Sequence, residues 1–332
     1  MQHWIYGTVF NNVQTIEESI ASVYSPDSNI AIVDAYSTDG TYEKLLALRK
    51  EFNLTLSRAR CSRGKGRDIA LRMCPVNSFA AYIDLDAVYN GNFRKILEEE
   101  IDRTLVWQHH SQTCYFSMVD TAIKKGGFRD LSVSETLEFI LRCGIDRTLP
   151  VQVGRNMQYT QSGFGGRERR YATGKKALLR IPRISIDSTR GQGISYQEFI
   201  NYYGYSRIPL YLAVLIKGKY RIEPRISNIE LLLEKGVETM CDPRESGISD
   251  DWIALPIPYP LFSDNEKAEE KILQKWKEFH KYRRIGSVPK WGGPVLMDRE
   301  FIVYTLTQKG LENYISADPY EALSMSDFLE IE

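Results

Sequence analysis

Ser78-Phe79-Ala80-Ala81-Tyr82-Ile83-Asp84-Leu85-Asp86 is an apolar run that ends in two carboxylates. A stretch this apolar reads as a strand buried on both faces, as in a parallel sheet covered by helices. Side chains two apart on an extended chain share a face, so Asp84 and Asp86 are expected to point the same way. Two like charges that close repel, and a cation between them keeps both ionised. Oxygen ligands at a strand's C-terminal end suit Mg²⁺ or Mn²⁺. That end is also where open α/β sheets bind ligands. The competing reading is a solvated strand end that caps the next helix.

The segments upstream extend the pattern. Asn29-Ile30-Ala31-Ile32-Val33-Asp34-Ala35-Tyr36 is a second buried-strand run. It enters Ser37-Thr38-Asp39-Gly40-Thr41, where Asp-Gly favours a tight turn and Asp39 or Thr41 can cap a helix through Leu45, Leu46 and Leu48. Residues 5–10 read as a first strand. Thr15-Ile16-Glu17-Glu18 has the form of a capping box, opening a helix with Ile16, Ile20 and Val23 on one face. Strand and helix alternate through the first hundred residues. The expected fold class is therefore α/β: a mostly parallel sheet with helices on both faces.

Five segments in this order resemble a known family. Thr8-Val9-Phe10-Asn11-Asn12, Val33-Asp34-Ala35-Tyr36-Ser37-Thr38-Asp39-Gly40-Thr41, Gly64-Lys65-Gly66-Arg67-Asp68-Ile69-Ala70-Leu71, Asp84-Leu85-Asp86 and Gly126-Gly127-Phe128 are similar to the signatures of family 2 glycosyltransferases of the GT-A fold. The likeness runs from residue 4 to about 145, under half of the chain. It implies a Rossmann-like catalytic unit at 1–150, whose core could reach about residue 225, and a largely helical acceptor or accessory region at 151–332. It further implies a hexosyltransferase-like enzyme that takes a nucleotide-diphospho-sugar, a UDP-sugar or GDP-sugar, and transfers the sugar with inversion. The acceptor would be a hydroxyl of a sugar, glycan or lipid-linked molecule.

The resemblance assigns roles residue by residue. Thr8, Phe10, Asn11, Asp34, Asp39, Lys65, Arg67, Asp84 and Leu85 correspond to nucleotide-binding positions, and Asp84 and Asp86 to the ligands of a Mn²⁺ or Mg²⁺ ion. Arg67 also falls near a helix start, where backbone N–H groups favour anions. The family commonly carries Glu-Asp after Gly-Gly-Phe. Here the segment is Val133-Ser134-Glu135-Thr136, and Asp68 stands where Asn is common. Glu135 is the first candidate for the catalytic base, with Glu138 and Asp130 as substitutes. Ser132-Val133-Ser134-Glu135 also reads as a capping box with Glu135 at the third helical position, which would explain the glutamate without catalysis. His109 and His110 are a candidate third metal ligand or a partly buried polar pair. No Gln-x-x-Arg-Trp occurs, so the enzyme is expected to be non-processive.

Composition agrees with a soluble enzyme, and the length is enough for a large core and two domains. The chain has 332 residues, with 43 Lys and Arg against 43 Asp and Glu, and the zero net charge argues against nucleic-acid binding. Cys61, Cys74, Cys114, Cys143 and Cys241 are scattered and lack metal-site spacing, as for thiols of a reducing compartment. The first strand is expected to begin almost at once, with no signal peptide before it. No apolar stretch reaches the roughly 18–20 residues of a membrane span. On these features the protein is expected in the cytoplasm. The apolar stretch at 208–216 reads as a buried helix, with peripheral contact to an inner membrane face as the alternative.

The remainder is read more coarsely. Residues 162–171 are glycine-rich and then basic, either a loop that closes over a diphosphate or a surface turn. Residues 196–222 are helical and rich in tyrosine, 255–260 form a proline-rich linker, and 264–284 form a charged amphipathic helix. Residues 289–304 read as a short strand region. Two other functions stay open: a sugar-phosphate nucleotidyltransferase on a related sheet, and a nucleotide-sugar binder that has lost its base.

Overall fold

The computed structural model describes residues 2–107, 113–149 and 153–156, parts of 186–191 and 231–248, and the pairs Val288–Pro289 and Ala322–Leu323. The readings at 162–171, 196–222, 255–260 and 264–284, and those for His109 and His110, lie outside the described residues.

Strands β1 (His3–Val9), β2 (Ser28–Asp34), β3 (Leu54–Arg58) and β4 (Phe79–Tyr82) alternate with helices α1 (Ile16–Val23), α2 (Thr41–Leu48) and α3 (Arg63–Met73). A short strand β5 (Ala87–Tyr89) leads to α4 (Gly91–Glu99). Strands β6 (Thr104–Trp107) and β7 (Thr113–Met118), helices α5 (Val119–Lys124) and α6 (Glu135–Cys143), and strands β8 (Arg147–Leu149) and β9 (Gly154–Asn156) follow. The main sheet has the order β3-β2-β1-β4-β7-β6-β8. Only β7 is antiparallel to its neighbours, and β5 and β9 pair separately. The expected α/β class with a mostly parallel sheet is what the chain adopts.

Alternation along the strands divides the core into two layers. Ile5, Ile30, Ile32, Phe79 and Ala81 pack against Ile16, Ile20 and Val23 of α1, Leu45 and Leu48 of α2, and Phe93, Ile96 and Leu97 of α4. Trp4, Tyr6, Ala31, Val33, Ala80 and Tyr82 face the other way. They pack on Ala70 and Leu71 of α3, Val119 and Ala122 of α5, and Phe139, Ile140 and Cys143 of α6. Both faces of the sheet are covered, which is why its strands read as continuous apolar runs.

Three local expectations are corrected. Strand β4 ends at Tyr82, so Asp84 is beyond it and Leu85 and Asp86 lie in a turn. The turn closes where the Ala87 N–H donates to the Asp84 carbonyl at 3.1 Å. The same-face argument for two strand residues therefore does not apply. Thr15 makes no side-chain cap on α1; its hydroxyl donates instead to the Leu85 carbonyl at 3.3 Å. Glu135 is the first residue of α6 rather than the third, and its N-cap Ser134 is left-handed at φ 57° with no side-chain bond.

Part of the second half of the sequence packs on the first. Thr148 forms a parallel bridge with Met240, and the Cys241 N–H donates to the Thr148 carbonyl at 2.9 Å. Arg147 pairs with Glu99 at 2.5 Å and also contacts Ser246, while Ile248 joins the core layer of α1. Among the described residues no helix is long and apolar enough to cross a membrane.

Candidate functional site

The C-terminal ends of β1, β2 and β3 lie level, since Val9 is in register with Asp34 and Asp34 with Arg58. The loops leaving β1 and β2 are tied together. The Asn11 N–H donates to Ser37 Oγ at 2.9 Å, and the Thr38 N–H donates to Asn11 Oδ1 at 2.9 Å. Asn11 and Tyr36 both have positive φ, 55° and 61°. Side-chain-bearing residues pay roughly 1–2 kcal/mol for that region, so the surrounding bonds hold both loops in a strained shape.

Asp34 is fully buried at the end of β2. Its carboxylate accepts the Ser37 N–H at 3.1 Å and Arg58 Nε at 2.9 Å. Asp39 is exposed, and its oxygens are engaged by its own turn and by the loop after β1. Oδ1 accepts the Thr41 N–H at 3.1 Å and the Thr41 hydroxyl at 2.5 Å, and Oδ2 accepts the Val13 N–H at 3.1 Å. Desolvation works to raise its pKa, but these hydrogen bonds outweigh it and hold Asp39 below the ordinary carboxylate value. Thr8 donates to the Val33 carbonyl at 3.0 Å, and Phe10 is exposed at the rim.

Helix α3 meets this edge through its glycines. A Cβ on Gly66 would collide with the Thr8 side chain, and one on Gly64 would collide with the carbonyl oxygens of Arg129 and Leu131. Two N–H groups in the first turn of α3 are already engaged. Gly64 N–H donates to the Leu131 carbonyl at 2.9 Å and Lys65 N–H to Ser62 Oγ at 3.1 Å. These two donors are therefore not open to an anion. Lys65 is half exposed and pairs with Asp68 at 3.1 Å. Gly127 has φ 62° and packs directly on the Asp68 carboxylate, which joins the Gly-Gly-Phe segment to α3.

Arg67 is the centre of the site. Only 2% of its side chain is exposed, and it spans two carboxylates. Nη2 contacts Asp84, while Nη1 lies 2.8 Å from Glu135 Oε1 and also reaches the Thr136 hydroxyl. Its guanidinium lies 4.8 Å from the Tyr82 ring centroid, a cation–π contact. Burial works to lower its pKa, but Asp84 and Glu135 outweigh it and raise the pKa further. Glu135 is 1% exposed and is also held by Arg63, at 2.5 Å from Nε. Burial would raise the pKa of Glu135, yet Arg63 and Arg67 hold it below its ordinary value.

The three carboxylates considered for the base differ in environment. Glu135 and Glu138 are buried, and Glu138 is held by Arg142 at 2.8 Å and Arg129 at 3.0 Å. Asp130 is exposed and accepts the hydroxyl of Ser62, the N-cap of α3, at 2.5 Å. Asp84 and Asp86 are partly exposed, whereas Leu85 is in the core at 2% exposure and presents only its backbone. Among the described residues there is no group of three or more His, Cys, Asp or Glu able to hold a metal. Arg58, Arg63 and Thr136 were not read as site residues from the sequence. Only strand register and helix packing bring them in.

No family model and no curated protein matches this chain. Among solved structures it is similar to S. aureus TarS, at 14% identity over 85% of this chain and 52% of that one, with a TM-score of 0.39. The chain thus spans about half the length of that structure. It is also similar to S. aureus TarS 1-349 in complex with UDP-GlcNAc, at 13% identity over 98% and 100% of the two chains, with a TM-score of 0.41. A third is the mannosyltransferase PcManGT from Pyrobaculum calidifontis in complex with GDP-Man and Mn²⁺. It has 14% identity over 70% of this chain and 79% of that one, and a TM-score of 0.43.

Proposed function

We propose that this chain is a glycosyltransferase that binds a nucleoside-diphosphate sugar at the C-terminal edge of its sheet and passes the sugar to an acceptor hydroxyl. One observation carries the reading. Buried Arg67 joins the Asp84 turn to the segment after Gly-Gly-Phe, and α3 also packs on Thr8 and on Gly127. Four motif segments, far apart in sequence, thus meet around α3. Arg67, whose two Nη atoms are taken by Asp84 and Glu135, fixes a positive charge beside the Asp84 turn, and that charge favours a diphosphate there. The loops tied by Asn11, Asp34 and Ser37 would take the nucleoside.

A divalent cation fits the oxygen donors of Asp84 and Asp86. Mg²⁺ is commonly held by one or two carboxylates together with substrate phosphates, so no third protein carboxylate is required. When bound, the cation would offset charge on the departing diphosphate. Arg67 would hold the Asp84 carboxylate in place and add positive charge from its buried position. For the base we assign Asp130. It is the exposed carboxylate of the three, while Glu135 and Glu138 are each held between two arginines. Asp130 would take the acceptor hydroxyl proton as the oxygen attacks the anomeric carbon, with inversion.

The test is product analysis with labelled UDP-sugars and GDP-sugars, with Mn²⁺ and with a chelator. Metal-dependent release of nucleoside diphosphate, with sugar passed to an acceptor or to water, is the expected outcome. Pyrophosphate release would indicate a nucleotidyltransferase, and binding without turnover a non-catalytic binder.

A further inference from the structure

Arg58, the last residue of β3, reaches in three directions across the sheet edge. Its Nε donates to Asp34 Oδ2 at 2.9 Å, and its Nη2 donates to the Ser37 carbonyl at 2.9 Å. Its guanidinium carbon lies 4.8 Å from the centroid of the Tyr36 ring and 4.5 Å from that of Tyr42. One side chain therefore touches both ends of the Asp34–Ser37 turn, the left-handed Tyr36 within it, and the first turn of α2. Ser37 in turn receives the Asn11 N–H, which carries the restraint to the β1 loop.

We propose that Arg58 is a positioning residue for the nucleoside end of the donor site. This rests on the nucleotide-sugar reading above. Asp34 is buried at the strand end, and its carboxylate direction is set by two donors, the Ser37 N–H and Arg58 Nε. A planar fork is needed for the second of these, because a single guanidinium serves Asp34 and Ser37 while stacking on two rings. Lysine has the charge but not that geometry. Neighbouring Arg60 provides an internal comparison. Its guanidinium carbon lies 5.0 Å from the Tyr36 centroid, so it shares the ring and the charge of this rim.

The experiment is calorimetric titration of the full chain with UDP, GDP and inorganic pyrophosphate in the presence of Mn²⁺, accompanied by thermal melts. Arg58→Gln and Arg58→Lys are both expected to weaken the tighter-binding nucleoside diphosphate by about 10- to 100-fold, as for loss of charged hydrogen bonds. Pyrophosphate affinity should stay within about twofold, and Arg60→Gln should bind as the wild type does. A merely structural role would lower both ligands together. Wild-type affinity in Arg58→Lys would overturn the fork, and an equal loss in Arg60→Gln would reduce the effect to rim charge. Wild-type protein that binds neither UDP nor GDP overturns the nucleotide-sugar reading itself, whereas intact nucleotide binding in Arg58→Gln overturns this inference alone.

Discussion

Arg67 Nη1 and Glu135 Oε1 meet at 2.8 Å, with 2% and 1% of their side chains exposed. Burying two charges costs solvation that their attraction only partly restores, so such a pair adds little net stability. Removing one partner is different, because the other is left buried and uncompensated, at about 3–5 kcal/mol. Glu135 carries both Arg63 and Arg67, so its loss would leave buried Arg67 with Asp84 as its remaining carboxylate and turn the 36% exposed Arg63 to solvent. The glutamate therefore holds Arg67 in place and is poorly suited to accept a proton.

The acid limb of the stability curve tests this. The Glu135 carboxyl is held below its ordinary value of 4.5. A depressed carboxylate pKa gives stability that is present above the unfolded value and lost as pH falls through the folded one. The wild type should thus lose melting temperature steeply as pH falls below that value. Glu135→Gln should begin lower at neutral pH and show a shallower decline, so that the two curves converge in acid. Parallel curves would mean that Glu135 is not charged in the folded protein.

Turnover separates Glu135 from Asp130. Asp130→Asn should reduce turnover by about 10²–10⁴-fold, the usual size of a general-base contribution. Its melting temperature should move little, because the side chain is exposed and the Oδ1 of asparagine can still accept the Ser62 hydroxyl. Glu135→Gln should lower nucleotide affinity and stability together, since it releases Arg67. Normal turnover in Asp130→Asn would remove it as the base.

The α/β class was legible because both faces of the sheet are covered, which prints each strand as an apolar run such as 28–34. The motifs at the ends of β1, β2 and β4 were legible for the same reason, whereas residues 64–71 lie in α3 and residues 126–128 follow α5. What could not be read was which carboxylate faces which cation. Glu135 fits a capping-box spelling in the sequence, yet it is the first residue of α6 and follows a left-handed N-cap, Ser134. Its side chain turns to arginines 68 and 72 residues away. Arg58 carried no motif at all, and its role follows only from the register that sets it beside Asp34.

Asp34 and Asp39 should now behave differently, although both fit one signature. In Asp34→Asn an amide replaces a buried carboxylate that faces two donors. Nucleotide affinity and stability should both fall, the latter by about 1–3 kcal/mol. In Asp39→Asn one oxygen can keep Thr41, and the bond to Val13 is lost. The expected change is about 0.5–1.5 kcal/mol in stability with nucleotide affinity retained. Titration with UDP or GDP beside a urea melt gives both quantities. A loss of affinity in Asp39→Asn that exceeds the loss in Asp34→Asn would reverse the assignment.

The metal prediction depends on the turn rather than on the strand. Asp84 already contacts Arg67, so its carboxylate is shared between a fixed cation and any ion that binds. Asp86 lies in the same turn and is partly exposed. It is expected to supply the second carboxylate ligand for Mn²⁺. Asp86→Ala is expected to abolish the dependence of nucleotide binding on Mn²⁺, because one shared carboxylate is a poor ligand set for a hard cation. The metal-independent part of the affinity should survive, since Arg67 and the Asn11–Ser37 loops are untouched. Asp84→Asn should do less to the metal and more to Arg67, lowering nucleotide affinity with or without Mn²⁺. Titration of UDP or GDP into each variant, with Mn²⁺ and with a chelator, distinguishes the two. If Asp86→Ala keeps the wild-type metal dependence, the turn is a structural one, and the cation must be held elsewhere or not at all.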